Sequence, residues 1–410
     1  MPGVVTAVRR ALDGGPAVVP LPRAGDAPVP AGTALVVRTS GSTGTPREVA
    51  LSADAVRASA TATHERLGGP GHWVLTLPTT HVAGLQVVVR SVLARTPLTS
   101  ADPDAPFTPD RFADLLEPVV GRADGPVYAS LVPTQLHRLV AAAGDGEPRG
   151  LAALARCSAV LLGGAATPRP LLERALDAGV TVVRTYGMSE TAGGCVYDGV
   201  PLRGVRVRVA EPAAPAGSDS MTGVIELSGP TLATGYLGDD AGTAAAFRTD
   251  TSGPDAGTRW FRTSDLGSVG PDGVLRVVGR ADDVVITGGV NVSPAAVEAA
   301  LADVLGEACV VGVPDAEWGH TLVAVVASGS AAADPAHGLR PVAPSELERA
   351  RAVVGERLGA AAAPRRAYHA ATLPLRGPGK VDRSAVADAV RRHEAAGGLL
   401  ADPTLPASGA

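Results

Sequence analysis

Lysine is almost absent from this chain of 410 residues. Thirty-five of its 36 basic residues are arginine, and the one lysine is Lys380. Arginine offers a planar fork of donors, whereas lysine offers a compact ammonium on a flexible stem. A lysine in a loop is ordinarily solvated surface. Because this chain keeps lysine at a single position, the composition predicts a specific chemical role for Lys380.

Several other features are scarce, and each absence excludes a class of protein. Three cysteines without metal-ligand spacing (Cys157, Cys195 and Cys309) predict buried or free thiols in a reducing cytoplasm. The segment Met1–Arg10 lacks the apolar part of a signal peptide, and no apolar run reaches the roughly 20 residues of a membrane helix. A net charge of −5 gives no basic surface for nucleic acid. We expect a cytoplasmic protein without nucleic-acid partners or stable membrane insertion, and the sequence leaves open whether it is a homodimer.

The pattern of apolar segments predicts an α/β fold. Strands alternate with helices over residues 34–191, which is typical of a mostly parallel sheet with ligand loops at the strand ends. After about residue 195, short strands predict a small β region. We expect a large N-terminal domain over residues 1–281, a small α+β domain over residues 282–396, and a disordered tail over residues 397–410.

Three helix starts are predicted from capping residues. Ser52 is expected to cap a helix that follows the first glycine-rich loop, and Ser293 with Pro294 is expected to begin another. Ser345 and Glu348 have the spacing of a capping box.

The first functional candidate is the loop over residues 38–48, with the sequence RTSGSTGTPRE. It follows the apolar run Ala34–Val37, so it lies at the end of a predicted strand. Backbone N–H groups of such a loop can converge on one anion, and hydroxyls add further donors. A flexible Ser/Gly linker is the alternative. The loop is not of the Walker type, because no G-x-x-x-x-G-K-[ST] occurs in the chain.

The order T-S-G-S-T-G-x-P resembles the phosphate loop of the adenylate-forming superfamily, which includes acyl- and aryl-CoA synthetases and adenylation domains. That family normally has lysine at the position of Arg47, although a guanidinium also binds phosphate oxygens. Seven motifs in the family's order extend the resemblance over residues 35–382. It implies an α/β large domain, a small mobile C-terminal domain, and phosphate binding by Thr39, Ser40, Gly41, Ser42, Thr43, Gly44 and Arg47.

Three further motifs imply the rest of the nucleotide site. The segment YGMSET, which starts at Tyr186 and ends a predicted strand, resembles Y-G-x-[TS]-E; the resemblance implies that Tyr186 stacks on adenine and that Glu190 binds Mg²⁺. The segment WFRTSDLG, from Trp260, resembles [YF]-x-T-G-D and implies that Asp265 accepts from the ribose hydroxyls. The glycine turn at residues 163–166 is the third. Each segment alone is also typical of an ordinary turn. Together they imply nucleotide contacts by Gly163, Gly164, Ala165, Tyr186, Gly187, Ser189, Asp265 and Arg280.

The remaining motifs concern the small domain. Asp282 occupies the family's hinge position, where backbone dihedral angles must change. Residues 286–294 resemble the segment that lines the thiol tunnel of CoA ligases, which implies that Gly288 and Gly289 let the acceptor pass. The segment PGKVD resembles the family's C-terminal G-K loop and implies that Lys380 stabilises charge while the adenylate forms.

The compact size and several segments are most similar to the o-succinylbenzoate–CoA ligases of menaquinone biosynthesis. The resemblance implies ATP, Mg²⁺ and coenzyme A, with a small carboxylic acid as substrate. The second carboxylate of that acid needs a polar or cationic partner, for which the candidates are His81, Gln86, Arg90 and Thr134. Another aryl- or acyl-CoA ligase, or a catalytically degenerate nucleotide-binding homologue, remains an alternative.

Overall fold

The structure is a computed structural model, and it describes residues 2–39, 47–212, 222–327, 338–376 and 380–396. Only the backbone is described at Pro2, Glu211, Pro212, Arg376 and Lys380. The predicted loop residues Ser40 to Gly44 and the predicted disordered tail therefore lie outside the described residues.

The chain divides into two compact units. The large unit consists of Met1–Ala281 with Arg376–Lys380, and the small unit of Asp282–Leu375 with Val381–Ala410. Both combine helices with sheets, which confirms the predicted fold class. Mobility of the small unit stays a prediction. No helix in the described part of the chain is long and apolar enough to cross a membrane.

Helices cover much of both units. Two short 3₁₀ helices are also present, at Ser189–Thr191 and Ala360–Ala362. The α-helices of the described residues are α1 (Pro2–Leu12), α2 (Ala53–Arg66), α3 (Val82–Ala94), α4 (Pro109–Arg122), α5 (Pro133–Gly144), α6 (Arg149–Ala155), α7 (Arg169–Asp177), α8 (Asp240–Ala246), α9 (Pro294–Leu305), α10 (Pro344–Leu358) and α11 (Arg383–Ala395).

The described strands up to Ala281 are β1 (Thr33–Arg38), β2 (Glu48–Ser52), β3 (His72–Leu75), β4 (Leu98–Ser100), β5 (Val127–Leu131), β6 (Ala159–Leu162), β7 (Val182–Met188), β8 (Gly193–Tyr197), β9 (Val200–Pro201), β10 (Arg206–Pro212), β11 (Gly223–Ser228), β12 (Gly235–Tyr236), β13 (Phe247–Thr249), β14 (Arg259–Val269) and β15 (Leu275–Arg280). Those after Ala281 are β16 (Val285–Thr287), β17 (Val290–Val292), β18 (Ala308–Asp315), β19 (Gly319–Ala327), β20 (Arg340–Pro341), β21 (Arg366–Ala370), β22 (Leu375–Arg376) and β23 (Lys380–Val381).

A seven-stranded sheet in the order β4-β3-β5-β6-β7-β8-β9 forms the centre of the large unit. Strands β3 to β7 are parallel to one another. Strand β8 pairs antiparallel with β7, and β9 pairs antiparallel with β8. Trp73 and Leu75 pack on one face with α2 and α3, whereas Val74 packs on the other with α4 to α7. Because successive side chains of a strand point to opposite faces, this alternation produces three layers, helix–sheet–helix.

The predicted phosphate loop does not join the parallel sheet. It connects β1 to β2, which pair antiparallel in a separate sheet with the order β1-β2-β12. Strand β2, which the sequence did not predict, lies between the loop and α2. The side chains of Val49 and Leu51 are fully buried, so this short segment is stabilised by burial on the sheet. Ser52 does cap α2, because its Oγ accepts from the Ala55 N–H at 3.1 Å.

The small unit is built on the sheet β18-β19-β21-β20. Helices α9 and α10 pack on one face of it and α11 on the other. Ser293 caps α9 and Pro294 is its first residue, as predicted. The capping box predicted at Ser345 was wrong. The N-cap is Ala343, two residues before Ser345, and helix α10 begins at Pro344, whose fixed φ suits the first helical position.

Candidate active site

Two hydrogen bonds close the base of the predicted phosphate loop. The Thr39 N–H donates to the Arg47 carbonyl at 2.8 Å, and the Arg47 N–H donates to Thr39 Oγ1 at 3.0 Å. They continue the β1–β2 pairing by one more residue pair. The positions at which the loop leaves and re-enters the sheet are therefore set by backbone structure.

The side chain of Arg47 lies against two residues that sequence reasoning missed, Tyr236 and Asp239. Its guanidinium carbon is 4.8 Å from the centroid of the Tyr236 ring, and its Nε is 3.5 Å from Asp239 Oδ2. The Arg47 side chain is 46% exposed, so each contact contributes at most about 1 kcal/mol. Both contacts hold a half-exposed guanidinium near the base of the predicted phosphate loop.

Tyr236 also contacts Glu190, the predicted magnesium ligand. Its Oη donates to Glu190 Oε1 at 3.0 Å. Burial, followed by the negative charge of Glu190, raises the pKa of Tyr236, so the hydroxyl stays protonated and continues to donate. The backbone N–H of Ala233, two residues before β12, donates to the Glu190 carbonyl at 2.8 Å. The structure thus brings together Arg47 and Glu190, which are distant in sequence, on either side of one tyrosine.

The backbone directly after Glu190 is strained and held by buried donors. Ala192 has a φ of 51°, which is unfavourable for a residue with a Cβ. Its carbonyl accepts from Gln86 Nε2 at 2.7 Å and from Ser59 Oγ at 3.0 Å. Gln86 therefore supports the segment that carries Glu190. Its proposed contact with the acyl group stays a prediction.

A second cluster joins three of the predicted nucleotide contacts. The Tyr186 hydroxyl donates to Asp265 Oδ2 at 2.7 Å, and Arg280 Nη1 lies 3.9 Å from Asp265 Oδ1. Burial, then the charge of Asp265, raises the pKa of Tyr186 far above its ordinary value. A carboxylate has about four acceptor sites, so Asp265 can accept from ribose hydroxyls as well.

The strand ends around this cluster differ from expectation. Tyr186 lies within β7 rather than at the end of a strand, and Asp265 lies inside the long strand β14. Arg280 is the residue directly opposite Asp265 on β15. Antiparallel pairing, which the sequence does not reveal, places this arginine beside the carboxylate.

Two of the predicted nucleotide-site glycines are required by packing. A Cβ on Gly163 would lie 2.2 Å from Thr185 Oγ1, and a Cβ on Gly187 would lie 2.2 Å from the Gly193 carbonyl oxygen. Gly164 has a φ of 87°, which favours glycine, and Ala165 beside it is exposed. Ser189 is half-buried at the start of the 3₁₀ turn. Direct contact of these five residues with a nucleotide stays a prediction.

Arg90 is buried in the core, with 4% of its surface exposed. Its guanidinium carbon lies 5.0 Å from the centroid of the Trp73 ring, and Nη2 donates to the Tyr197 hydroxyl at 3.5 Å. Burial lowers the pKa of Arg90, and burial together with the charge of Arg90 lowers the pKa of His64 to about 4. Its neighbours give Arg90 a structural role. His81 directly precedes α3, and Thr134 lies in the first turn of α5. Both side chains are half-buried.

In the small unit, the predicted hinge Asp282 is the first residue after the division of the chain. Lys380 begins β23, which pairs with β22; its side chain lies outside the described residues. Arg383 comes three residues after Lys380 in the sequence, and its side chain contacts several residues of the small unit. It forms a bidentate ion pair with Glu298 and donates to the Val310 carbonyl, while its Nε lies 3.5 Å from Asp283 Oδ2.

The two glycines of the predicted thiol tunnel differ in their surroundings. Both have positive φ, 55° at Gly288 and 79° at Gly289. A Cβ on Gly288 would lie 2.5 Å from the Trp318 ring, and the Gly288 N–H donates to the Trp318 carbonyl at 3.1 Å. A Cβ on Gly289 would meet no atom within 4 Å. Gly288 is therefore required by packing on Trp318, and Gly289 has the open face.

We expect Gly288→Ala to destabilise the β16–β17 hairpin by about 1–3 kcal/mol more than Gly289→Ala. Both variants carry the strain of a positive φ, but only the first also overpacks against Trp318. Hydrogen exchange of the hairpin amides, with each variant compared against wild type, measures the difference. Equal loss of protection in the two variants would contradict a packing role specific to Gly288.

Comparison with known proteins agrees with this geometry. The family described as AMP-binding enzyme matches residues 7–237, and the AMP-binding enzyme C-terminal domain matches residues 296–380. A probable 2-succinylbenzoate–CoA ligase from Mycobacterium tuberculosis is 43% identical over 357 residues, covering 86% of this chain and 83% of the relative. The 2-succinylbenzoate–CoA ligase of Geobacillus kaustophilus is 32% identical over 360 residues, covering 83% and 66%.

Two solved structures have similar folds. The o-succinylbenzoate CoA synthetase (MenE) from Bacillus subtilis, in complex with its acyl-adenylate intermediate, is 26% identical with a TM-score of 0.68, covering 88% of this chain and 70% of that one. ATP-bound MatB from Rhodopseudomonas palustris is 26% identical with a TM-score of 0.68, covering 87% and 68%. The resemblance deduced from the motifs is confirmed, and the chain belongs to the AMP-binding enzyme family.

Proposed function

We propose that the protein is an AMP-forming acid–CoA ligase that converts o-succinylbenzoate into o-succinylbenzoyl-CoA in menaquinone (vitamin K2) biosynthesis. A carboxylate first reacts with ATP to give an acyl-adenylate and pyrophosphate, and CoA then displaces AMP. The observation that carries the proposal is the pair of clusters in the large unit, Arg47–Tyr236–Glu190 and Tyr186–Asp265–Arg280. They supply a cation and a hard carboxylate for phosphates, and an aromatic ring and a carboxylate for a nucleoside.

In the first half-reaction, this chain's residues bind and orient the nucleotide. Asp265 would accept from the ribose hydroxyls, while the loop over residues 39–47 holds the phosphates. Glu190 fits Mg²⁺, since that ion is commonly held by one or two carboxylates together with phosphates and water. Among the described residues, no group of three or more His, Cys, Asp or Glu could hold a metal without such help. Mg²⁺ would neutralise charge on the leaving pyrophosphate.

In the second half-reaction, the small unit would change its role. Lys380 serves adenylate formation, and the Gly288–Gly289 hairpin serves entry of the thiol. Both follow Asp282 in the sequence, and in this structure Lys380 is grouped with the large unit whereas the hairpin is grouped with the small one. A change of backbone dihedral angles at Asp282 would exchange them at the site. A cytoplasmic location is part of the proposal and agrees with three free, buried cysteines.

The choice of acid rests on the relatives. The relative from Mycobacterium tuberculosis is named as a probable 2-succinylbenzoate–CoA ligase and that from Geobacillus kaustophilus as a 2-succinylbenzoate–CoA ligase, and the mycobacterial one is similar over most of both chains. We propose that the succinyl carboxylate reacts. The candidates for the second carboxylate remain His81, Gln86, Arg90 and Thr134.

Pyrophosphate release with a panel of acids tests the proposal, followed by detection of the CoA thioester. We expect turnover of o-succinylbenzoate to exceed that of benzoates and fatty acids. Robust activity on benzoates or fatty acids without o-succinylbenzoate turnover would exclude this substrate while keeping the reaction type. Absence of pyrophosphate release with every acid would favour a degenerate nucleotide-binding homologue.

A further inference from the structure

Tyr236 contacts both charged groups expected at the phosphate end of the site, and no motif pointed to it. We propose that Tyr236 is a positioning residue for adenylate formation: its hydroxyl orients the Glu190 carboxylate, and its ring holds the Arg47 guanidinium. This inference deepens the proposed function and rests on it. One aromatic side chain would thereby fix the metal ligand and the phosphate-binding cation relative to each other.

The ring is itself held firmly. Tyr236 is 6% exposed, and its backbone pairs with Val49 on β2. Its N–H donates to Thr243 Oγ1 at 2.9 Å, and its ring meets the Phe247 ring edge-on with centroids 5.8 Å apart. Three separate elements therefore fix the tyrosine. The Arg47 side chain is nearly half exposed, and its contact with this firmly held ring fixes its position.

The geometry at Glu190 suits a shared carboxylate. The tyrosine hydroxyl donates to Oε1, and a hydrogen bond to one oxygen restricts rotation of the whole carboxylate. Mg²⁺ demands near-ideal octahedral geometry and usually keeps several waters, so one well-directed carboxylate oxygen suits it. Tyr236 would thus act on metal affinity through Glu190 without touching the metal.

The ring also explains why arginine stands at the family's usual lysine position. The Arg47 guanidinium carbon lies 4.8 Å from the ring centroid, and a guanidinium can contact an aromatic ring while it keeps N–H donors for phosphate oxygens. Asp239 holds the same group from the side, with Oδ2 3.5 Å from Nε, while its Oδ1 accepts from the Gly242 N–H at 2.7 Å. A lysine ammonium has no flat face with which to stack. Arginine and tyrosine thus form a matched pair in this chain.

Binding of Mn²⁺ in the presence of a non-hydrolysable ATP analogue, followed by electron paramagnetic resonance, tests the hydroxyl. We expect Tyr236→Phe to weaken Mn²⁺ binding about tenfold, the size of one hydrogen bond to a charged group. The matched control is Tyr368→Phe, because Tyr368 Oη donates to Glu394 Oε1 at 3.0 Å in the core of the small unit. That control should leave Mn²⁺ affinity unchanged.

A double-mutant comparison separates positioning from loss of structure. If Tyr236 acts through Glu190, Tyr236→Phe will cause no further loss of Mn²⁺ affinity in the Glu190→Gln background. Wild-type Mn²⁺ affinity in Tyr236→Phe, or an equal loss in both backgrounds, would overturn the role of the hydroxyl.

Affinity for the ATP analogue without divalent cation tests the ring. Tyr236→Phe should keep this affinity, while Tyr236→Leu should lower it several-fold, to the level of Arg47→Met. Equal affinities in the Phe and Leu variants would overturn the role of the ring. These measurements need no acid substrate, so failure of o-succinylbenzoate turnover would leave the inference standing.

Discussion

Replacement of Lys380 with alanine is expected to slow adenylate formation by about 10²–10³-fold, the usual effect of removing one group that stabilises developing charge. Thioester formation from a supplied acyl-adenylate should stay near the wild-type rate. The reason is that Lys380 is assigned to the first half-reaction only. Pyrophosphate release measures the first step, and CoA-thioester formation from the synthetic adenylate measures the second.

Lys380→Arg is the matched control for charge. It keeps the positive charge and adopts the residue that this chain uses at the other 35 basic positions. We expect it to recover little of the lost rate, because a planar guanidinium fork differs in shape and donor geometry from a compact ammonium. Full recovery with arginine would remove the chemical reason for the single lysine, and equal loss of both steps in Lys380→Ala would contradict its assignment to one.

Helices with clear end signals could be predicted from the sequence to the residue. The starts of α2 and α9 agree with the predictions made from Ser52, Ser293 and Pro294. Strand β2 could not be predicted, because five residues carry too little periodicity to be distinguished from a loop. The parallel order predicted for residues 34–191 holds for β3 to β7, while β1 belongs to another sheet.

The candidate site, too, could be predicted from the sequence only in part. Contiguous motifs placed Tyr186, Glu190 and Asp265 in the sequence, since each motif needs only its own neighbours. Tyr236 could not be found, because its strand has two residues and its partners are distant in sequence. Arg90 was expected beside the substrate because it is charged. Helix α3 is apolar on nearly all sides, and the sequence does not show which of its faces is buried in the core.

Replacement of Arg383 with methionine is expected to destabilise the small unit by about 3 kcal/mol. The variant leaves the Glu298 carboxylate without its bidentate partner, and breaking a buried ion pair costs about 3–5 kcal/mol. We take the lower end because Arg383 and Glu298 remain 27% and 22% exposed. Hydrogen exchange of amides in β18 and α11, which these contacts join, measures the loss locally.

Arg357→Met is the control within the same unit. Arg357 pairs with Asp303 at 3.2 Å, but the side chains are 50% and 44% exposed, so its loss should cost less than about 1 kcal/mol. Equal effects of the two variants would show that burial of the Arg383 cluster adds nothing. Arg383 begins α11 three residues after Lys380 and also faces Asp283, the residue after the predicted hinge. Loss of the Arg383 side chain would therefore disturb the segments next to both Lys380 and the predicted hinge. Arg383→Met should slow both half-reactions, whereas Lys380→Ala slows one.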